Sequence, residues 1–176
     1  MPLQLHDWKE FYGLEGAASA TLMGLLFVAV ALNADLILAG GRTQTKIRAE
    51  QAFQNYIAVL VIAQMLLFPH IPLEILSISL ETQATIMILF STSRLIKISK
   101  ILDPNFERKH GLRRLIPSLI AYALIILGSW RIQHPSETDP FYLIGCGSVI
   151  LLITATVSSW DLLIRVAEIR HSMTKP

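Results

Sequence analysis

Long runs of apolar residues make up most of the chain, and its polar residues gather between those runs. Amphipathic helices of a soluble core would carry apolar residues on one face only, so the pattern indicates that lipid surrounds much of this surface. A helix needs roughly 20 apolar residues to cross a hydrocarbon core of about 30 Å. Five spans are predicted, at about residues 11–36, 52–68, 73–98, 115–131 and 141–166. We therefore expect an all-α, polytopic transmembrane helix bundle in which residues 1–176 form a single domain.

Prolines mark the boundaries of three of these spans. The second and third are separated by Pro69, His70, Ile71 and Pro72, which leave room only for a tight reversal. Pro117 is expected in the first turn of the fourth helix, where a missing N–H costs nothing.

The basic residues predict the orientation of the bundle. Lys and Arg near the ends of spans stay on the cytoplasmic side of a membrane. With five spans and the N-terminus outside, thirteen of the fifteen basic residues fall inside, and only Lys9 and Arg131 fall outside. Trp8, Trp130 and Tyr142 lie at predicted outer boundaries, where aromatic rings favour the headgroup level. The expected topology has the N-terminus outside and the C-terminus in the cytoplasm.

Composition excludes several classes of function. Charged residues make up 16% of the chain and the net charge is +2, without a basic patch carrying stacking aromatics, so we expect no nucleic-acid partner. Cys146 is the only cysteine, and the five histidines lie in loops or tails without the spacing of metal or haem ligands. We expect no metal and no cofactor. The chain lacks H-E-x-x-H, G-x-S-x-G and Walker-type motifs, so an enzyme is not expected.

Small residues recur on two of the predicted helices. Helices in lipid associate through close packing of small side chains and through polar contacts. The first and fifth helices carry such residues at helical spacing: Gly16, Ala20 and Gly24, then Gly145, Ser148, Ala155 and Ser159. Each stripe is interpreted either as a packing seam within the chain or as an interface between subunits.

The same two helices carry a resemblance to a known family. The segment from Trp8 to Asn33 resembles the first helix of a family of small uncharacterised bacterial five-helix membrane proteins. The last helix is similar too, because it begins with Phe141 and Tyr142 and ends in Trp160 followed by aliphatic residues and an acid. The resemblance implies a multi-pass protein of the bacterial inner, or cytoplasmic, membrane, and it implies no activity.

Polar side chains within the spans are the main functional candidates. A charge at bilayer depth costs roughly 2.5 to 3.5 kcal/mol, so each one needs a partner or water. The expected cluster lies in the outer leaflet and comprises Glu15, Gln64, Glu81, Arg131, Ser77 and Thr85. The third helix carries a polar stripe at helical spacing, which is interpreted as part of an internal network with this cluster, as the lining of a water-filled cavity or as a set that reaches the surface: Glu74, Ser77, Glu81, Thr85 and Thr92. Glu15 and Glu81 would share a proton if they lay together.

Two residues near the inner end of the last helix are expected to pair. Asp161 and Arg165 are four residues apart on one helical face, and Arg94 is a further candidate for this site.

Two functional hypotheses remain open. In the first, the protein is a self-associating bundle in the membrane lipid, a homo-oligomer that acts as a channel or transporter for an ion or small solute. In the second, it is an accessory or regulatory subunit that docks on another membrane protein.

Overall fold

The structure is a computed structural model. It describes the backbone of residues 2–35, 43–101, 107–134 and 139–174, and within them the side chains of 8–35, 49–93, 115–134, 139–168 and 170–171. The described residues form five helices and no strand, which confirms the all-α prediction. The helices are α1 (Pro2–Leu32), α2 (Thr43–Leu67), α3 (Leu73–Ile101), α4 (Glu107–Gln133) and α5 (Pro140–Thr174).

Four of these helices are long and apolar enough to cross a membrane. Their apolar stretches have mean hydropathies between 1.5 and 2.0 and cover Lys9–Leu32, Leu73–Ser93, Leu115–Gln133 and Pro140–Glu168. Large apolar side chains on their outer faces are exposed, as at Leu14 (73%), Phe27 (65%) and Trp160 (67%). An apolar exterior of this kind suits lipid rather than water, which supports a membrane protein.

Helix α2 is the exception, and it lies at the centre of the bundle. It packs against α1, α3 and α5, while α5 packs on α4 and α4 packs on α3. The other helices therefore form an arc around α2 in the order α1, α5, α4, α3, and the arc stays open between α1 and α3. A helix enclosed by others does not need an apolar surface, and α2 carries Gln51, Gln54 and Asn55 within a single turn.

The core has two layers along the bundle. The larger cluster is built around Tyr12, Ile62, Leu80 and Ile144, and the smaller one joins Leu26 and Tyr56 to α5. The smaller cluster includes Ala155 and Leu162 of α5, so the packing of α5 extends along most of its length.

Helix α4 begins earlier than predicted. The prediction that Pro117 lies in the first turn is wrong, because α4 starts at Glu107 and Pro117 lies inside it. The residues before Pro117 are mostly polar, and apolar runs reveal only the part of a helix that lies in lipid. The start of α5 has a clear local cause. Pro140 takes the first helical position, and the Phe141 N–H donates to Asp139 Oδ1 at 3.0 Å as the helix cap.

Two glycines bring α4 and α5 into close contact. A Cβ on Gly128 would lie 2.7 Å from Ile144 Cγ1 and 3.0 Å from the Pro140 oxygen. A Cβ on Gly147 would lie 2.8 Å from both the Ala121 oxygen and Ile125 Cγ1. Real Cβ atoms do not approach other atoms so closely, so only glycine fits either position at this helix spacing.

Candidate functional site

Glu15 is a buried carboxyl between α1 and α5. Only 5% of its surface is exposed, although it lies within an apolar stretch of α1, about 10 Å along the axis from Trp8. The Ser148 hydroxyl donates to Glu15 Oε2 at 2.7 Å. Glu15 Oε1 is buried and has no hydrogen-bond partner among the described residues. Half of this carboxyl is therefore left without a polar contact.

Aromatic residues close the outer end of this site. Trp8 packs edge to face on Phe11 and Tyr142, with ring centroids 5.5 and 4.7 Å apart. Trp8 Nε1 donates to Asp139 Oδ2 at 3.1 Å, and the Tyr12 hydroxyl donates to the Phe141 oxygen at 3.0 Å. These contacts fix the start of α5 against α1.

Gly145 lies directly beneath these rings. A Cβ there would lie 3.3 Å from ring atoms of Trp8 and Phe11 and 3.5 Å from the Tyr12 oxygen. One turn further along α5, Ser148 also contacts the Gly145 oxygen at 3.0 Å. The site thus contains one carboxyl, one hydroxyl and one backbone oxygen, all of them buried under an aromatic cover.

The structure does not bring Glu15 and Glu81 together. Glu81 lies on α3, which packs mainly on α4 and is separated from α1 by the opening of the arc. The hypothesis that the two acids share a proton therefore has no support in this geometry. Glu81 resembles Glu15 in one respect, because its Oε1 is buried without a partner among the described residues. Among the described residues, Glu15 and Glu81 are therefore two separate acids that each have a buried oxygen without a partner.

The other members of the predicted cluster are dispersed. Ser77 is buried and accepts a hydrogen bond from Gln133 Nε2 at 2.7 Å, which links α3 to α4. Arg131 is half-buried near the end of α4. Gln64 and Thr85 are exposed on the outside of the bundle, so they do not join an internal network.

Several hydroxyls on α3 form hydrogen bonds to backbone oxygens of the same helix. Thr82, Thr92 and Ser93 donate to the carbonyl four residues earlier at 2.7 to 2.8 Å. A hydroxyl bonded in this way can face hydrocarbon at little cost. The predicted polar stripe of α3 is not a continuous exposed surface in the part of the helix that the structure describes, because Ser77 is buried and the Thr92 hydroxyl bonds within its own helix.

Sequence reasoning missed the polar residues that link α2 to all four other helices. Asn55 donates to Ser118 Oγ of α4 at 2.9 Å and accepts from the Tyr122 hydroxyl at 3.2 Å. Gln83 of α3 donates to the Ala58 oxygen at 3.0 Å. The spacing of Gln51, Gln54 and Asn55 was the available signal, because amides within one turn at the start of an apolar run need internal partners.

Tyr56 provides the links from α2 to α1 and α5. Its carbonyl oxygen accepts from Ser19 Oγ at 2.7 Å. Its hydroxyl donates to Thr156 Oγ1 at 3.2 Å and lies 3.5 Å from Ser159 Oγ. These contacts stabilise the part of the bundle that contains the smaller core cluster.

The two small-residue stripes differ in their packing. On α5, Gly145, Ser148 and Ala155 are buried and Ser159 is partly buried. On α1 only Gly16 is buried, where a Cβ would lie 3.0 Å from Ala63 Cβ of α2. Ala20 and Gly24 are exposed, and a Cβ on Gly24 would meet nothing within 4 Å. The α5 stripe is thus a seam within the chain, and most of the α1 stripe is not.

The predicted inner pair is present. Arg165 Nε lies 3.4 Å from Asp161 Oδ2, and both side chains are partly exposed. The Arg94 side chain lies outside the described residues. Within the described part of the chain, no group of three or more His, Cys, Asp or Glu residues is placed to hold a metal ion.

Comparison of the chain with known protein families, with curated proteins and with solved structures finds no match. The resemblance of the first and last helices to small bacterial membrane proteins therefore stays a prediction.

Proposed function

We propose that the protein is a multi-pass membrane protein that works as an assembly of identical copies, which meet along the open side of the helix arc. The observation that carries this proposal is the exposed strip of α2 between α1 and α3. A polar amide, Gln64, lies in this strip about one turn from the end of the helix. We call the strip the open seam, defined by Phe53, Ile57, Leu60, Val61 and Gln64.

Gln64 needs a hydrogen-bonding partner in this position. An unpaired amide in hydrocarbon costs several kcal/mol, and the other four residues that define the open seam are apolar. Its side chain both donates and accepts, so the Gln64 of a second copy can satisfy it across a two-fold axis. A second copy is therefore the partner best suited to this position.

The adjacent face of α1 allows close approach. Gly16 contacts α2, whereas Glu15 faces α5. Residues four apart are offset by about 40°, which turns Ala20 and then Gly24 away from α5 toward the open seam. Exposed small residues at this spacing let a neighbouring helix reach the backbone of α1. The amide and the small residues are independent features of one groove.

Five spans are part of the same proposal, with the N-terminus outside, the C-terminus in the cytoplasm, and the bacterial inner membrane as the location. Helix α2 has 25 residues and packs along α1 between the Gly16 and Leu26 levels, so it crosses wherever α1 crosses. The distribution of basic residues and the resemblance support the orientation and the location. A single cysteine is placed near one terminus at a time in a Cys146→Ser chain. The one near the N-terminus should react with a membrane-impermeant thiol reagent in intact cells, and the one near the C-terminus only after the membrane is opened. Labelling from one side would contradict this topology.

Self-association is tested by the fraction of dimer in lipid vesicles at several protein-to-lipid ratios, measured by single-molecule photobleaching. We expect the full chain to form dimers, and we expect Gln64→Leu and Ala20→Leu to lower the dimer fraction at least tenfold. Ala123→Leu is the matched control, because Ala123 is an exposed small residue on α4, away from the open seam.

Two results would contradict the proposal. A full chain that stays monomeric at every ratio would exclude the assembly. An equal loss of dimer in the Ala123→Leu control would show that the effect is not specific to the open seam. The chain could also stay monomeric and co-purify with another membrane protein that no longer binds the Gln64→Leu variant. That result would show that the open seam binds a different protein rather than a second copy.

A further inference from the structure

We propose that Glu15 and Ser148 form a binding site for one small monovalent cation, a proton or a sodium ion, within the membrane. This proposal does not depend on self-association, because the site lies between α1 and α5 of one chain. It rests on a buried carboxylate oxygen that has no partner among the described residues, and on the chemistry of the groups around it.

The first step is the missing positive charge. Tyr12 is the titratable group that interacts electrostatically with Glu15, and Asp139 and Cys146 interact in turn with Tyr12, so the described titratable groups on this side of the site are all acids. On α2, the side chain that packs against α1 next to Glu15, at Gly16, is the uncharged Ala63. Lys9 is exposed. None of the described ion pairs involves Glu15.

The second step is the lack of further hydrogen-bond donors. The Tyr12 hydroxyl is committed to the Phe141 oxygen, and Asp139 is occupied by Trp8 and by the Phe141 N–H. Ser148 is left as the only described donor to Glu15, and it reaches Oε2 alone. One hydroxyl does not compensate a full negative charge in a low-dielectric interior.

The third step is the type of ion. A single carboxylate is neutralised by one positive charge, whereas a divalent ion would leave the site with a net positive charge, and Ca²⁺ takes roughly six to eight oxygen ligands. A proton needs only Oε1. A sodium ion would use both Glu15 oxygens, Ser148 Oγ and the Gly145 carbonyl, which Ser148 already contacts at 3.0 Å. The rings over Gly145 separate this site from the outer water.

Glu81 provides an internal comparison. It too has a buried oxygen without a described partner, but the residue as a whole is only partly buried and no described hydroxyl donates to it. A Glu81→Gln chain therefore removes an intramembrane acid while leaving the Glu15 site intact.

The test is infrared difference spectroscopy of the full chain in lipid vesicles. Protonation of a carboxyl produces a C=O stretching band that a carboxylate lacks. We expect a band that disappears as pH is raised, that persists in Glu81→Gln and that is lost in Glu15→Gln. Replacing choline chloride by sodium chloride at fixed pH and ionic strength distinguishes the two ions. A weaker band in sodium shows sodium binding at the same carboxyl, and an unchanged band shows a proton alone.

Two variants keep the outcome decisive if Glu15→Gln fails to fold. Ser148→Ala retains the carboxyl but removes its hydrogen bond, so the frequency of the band shifts. Glu15→Asp shortens the side chain and also shifts the band. The proposal is overturned if no band responds to pH or sodium in the wild type, or if the responding band is identical in frequency in Ser148→Ala and in the wild type.

Discussion

The seam between α4 and α5 and the outer face of α1 are built from similar small residues but meet different surroundings. Gly128 and Gly147 lie against a neighbouring helix so closely that neither has room for a Cβ. Gly13 and Gly24 of α1 have open space where a Cβ would be. The comparison teaches that a small-residue pattern marks a surface capable of close packing, while the arrangement of the other helices decides whether that packing occurs within the chain.

The largest expected effect is at the α4–α5 seam. In Gly147→Ala the new Cβ meets the Ala121 backbone oxygen at 2.8 Å, and backbone cannot move aside as a flexible side chain can. We expect the free energy of unfolding to fall by about 1 to 3 kcal/mol, the usual cost of overpacking. The measurement is thermal or denaturant unfolding in mild detergent.

Gly13→Ala is the matched control for this change. It introduces the same methyl group into open space, so stability should be unchanged or slightly higher because alanine favours the helix. Equal destabilisation by the two variants would contradict the distinction between the two surfaces.

Asn55, a buried polar residue, allows the same comparison of inner and outer surfaces for polar side chains. Asn55→Leu removes hydrogen bonds to Ser118 and Tyr122 on α4 and leaves both groups in a dry interior. We expect a loss of about 1 to 2 kcal/mol, in the range of hydrogen bonds between membrane helices. The measurement is again the free energy of unfolding in mild detergent.

Thr92→Val is the control for Asn55, since Thr92 is exposed and its hydroxyl bonds only to the Ile88 oxygen of its own helix. No change in stability is expected there. If Thr92→Val proved the more damaging of the two, the described inward and outward faces would be reversed.

The two regions also show what the sequence could predict. The apolar runs located α1, α3, α4 and α5, because lipid imposes a minimum length on each helix. Which helices pack against each other could not be predicted from the sequence. No pattern in the sequence distinguishes Gly128 and Gly147 from the other glycines. They are required because atoms of the facing helix leave no room for a Cβ.

For the polar candidates, depth along the helix was predictable but direction was not. Glu15 and Gln64 were expected at similar levels, and the Gly16 to Ala63 contact agrees with this. Glu15 faces α5 and is buried although α1 lies at the edge of the arc, whereas Gln64 is exposed although α2 is the central helix. Amphipathicity normally distinguishes these directions, but in lipid the outward face is apolar as well.

A smaller effect is expected at Tyr56, which connects α2 to α5 through its hydroxyl. Tyr56→Phe keeps the buried ring and removes only the contacts to Thr156 and Ser159, which are 3.2 and 3.5 Å long. We expect a loss of about 0.6 kcal/mol, the average for such contacts. Tyr142→Phe is the control, because Tyr142 is 59% exposed. A loss at Tyr142 equal to that at Tyr56 would show that the buried hydroxyl contributes nothing specific.

The smallest effect is expected at the surface pair near the inner end of α5. Arg165 and Asp161 are partly exposed and four residues apart, so their 3.4 Å contact is screened by water and ions. Arg165→Gln should lower stability by about 0.3 to 0.5 kcal/mol at low salt. The difference should vanish at high salt. A loss above about 1 kcal/mol that persisted in salt would mean that the pair lies in a medium of low dielectric. The surface at this level would then belong with the packed interior rather than with the outer face of α1.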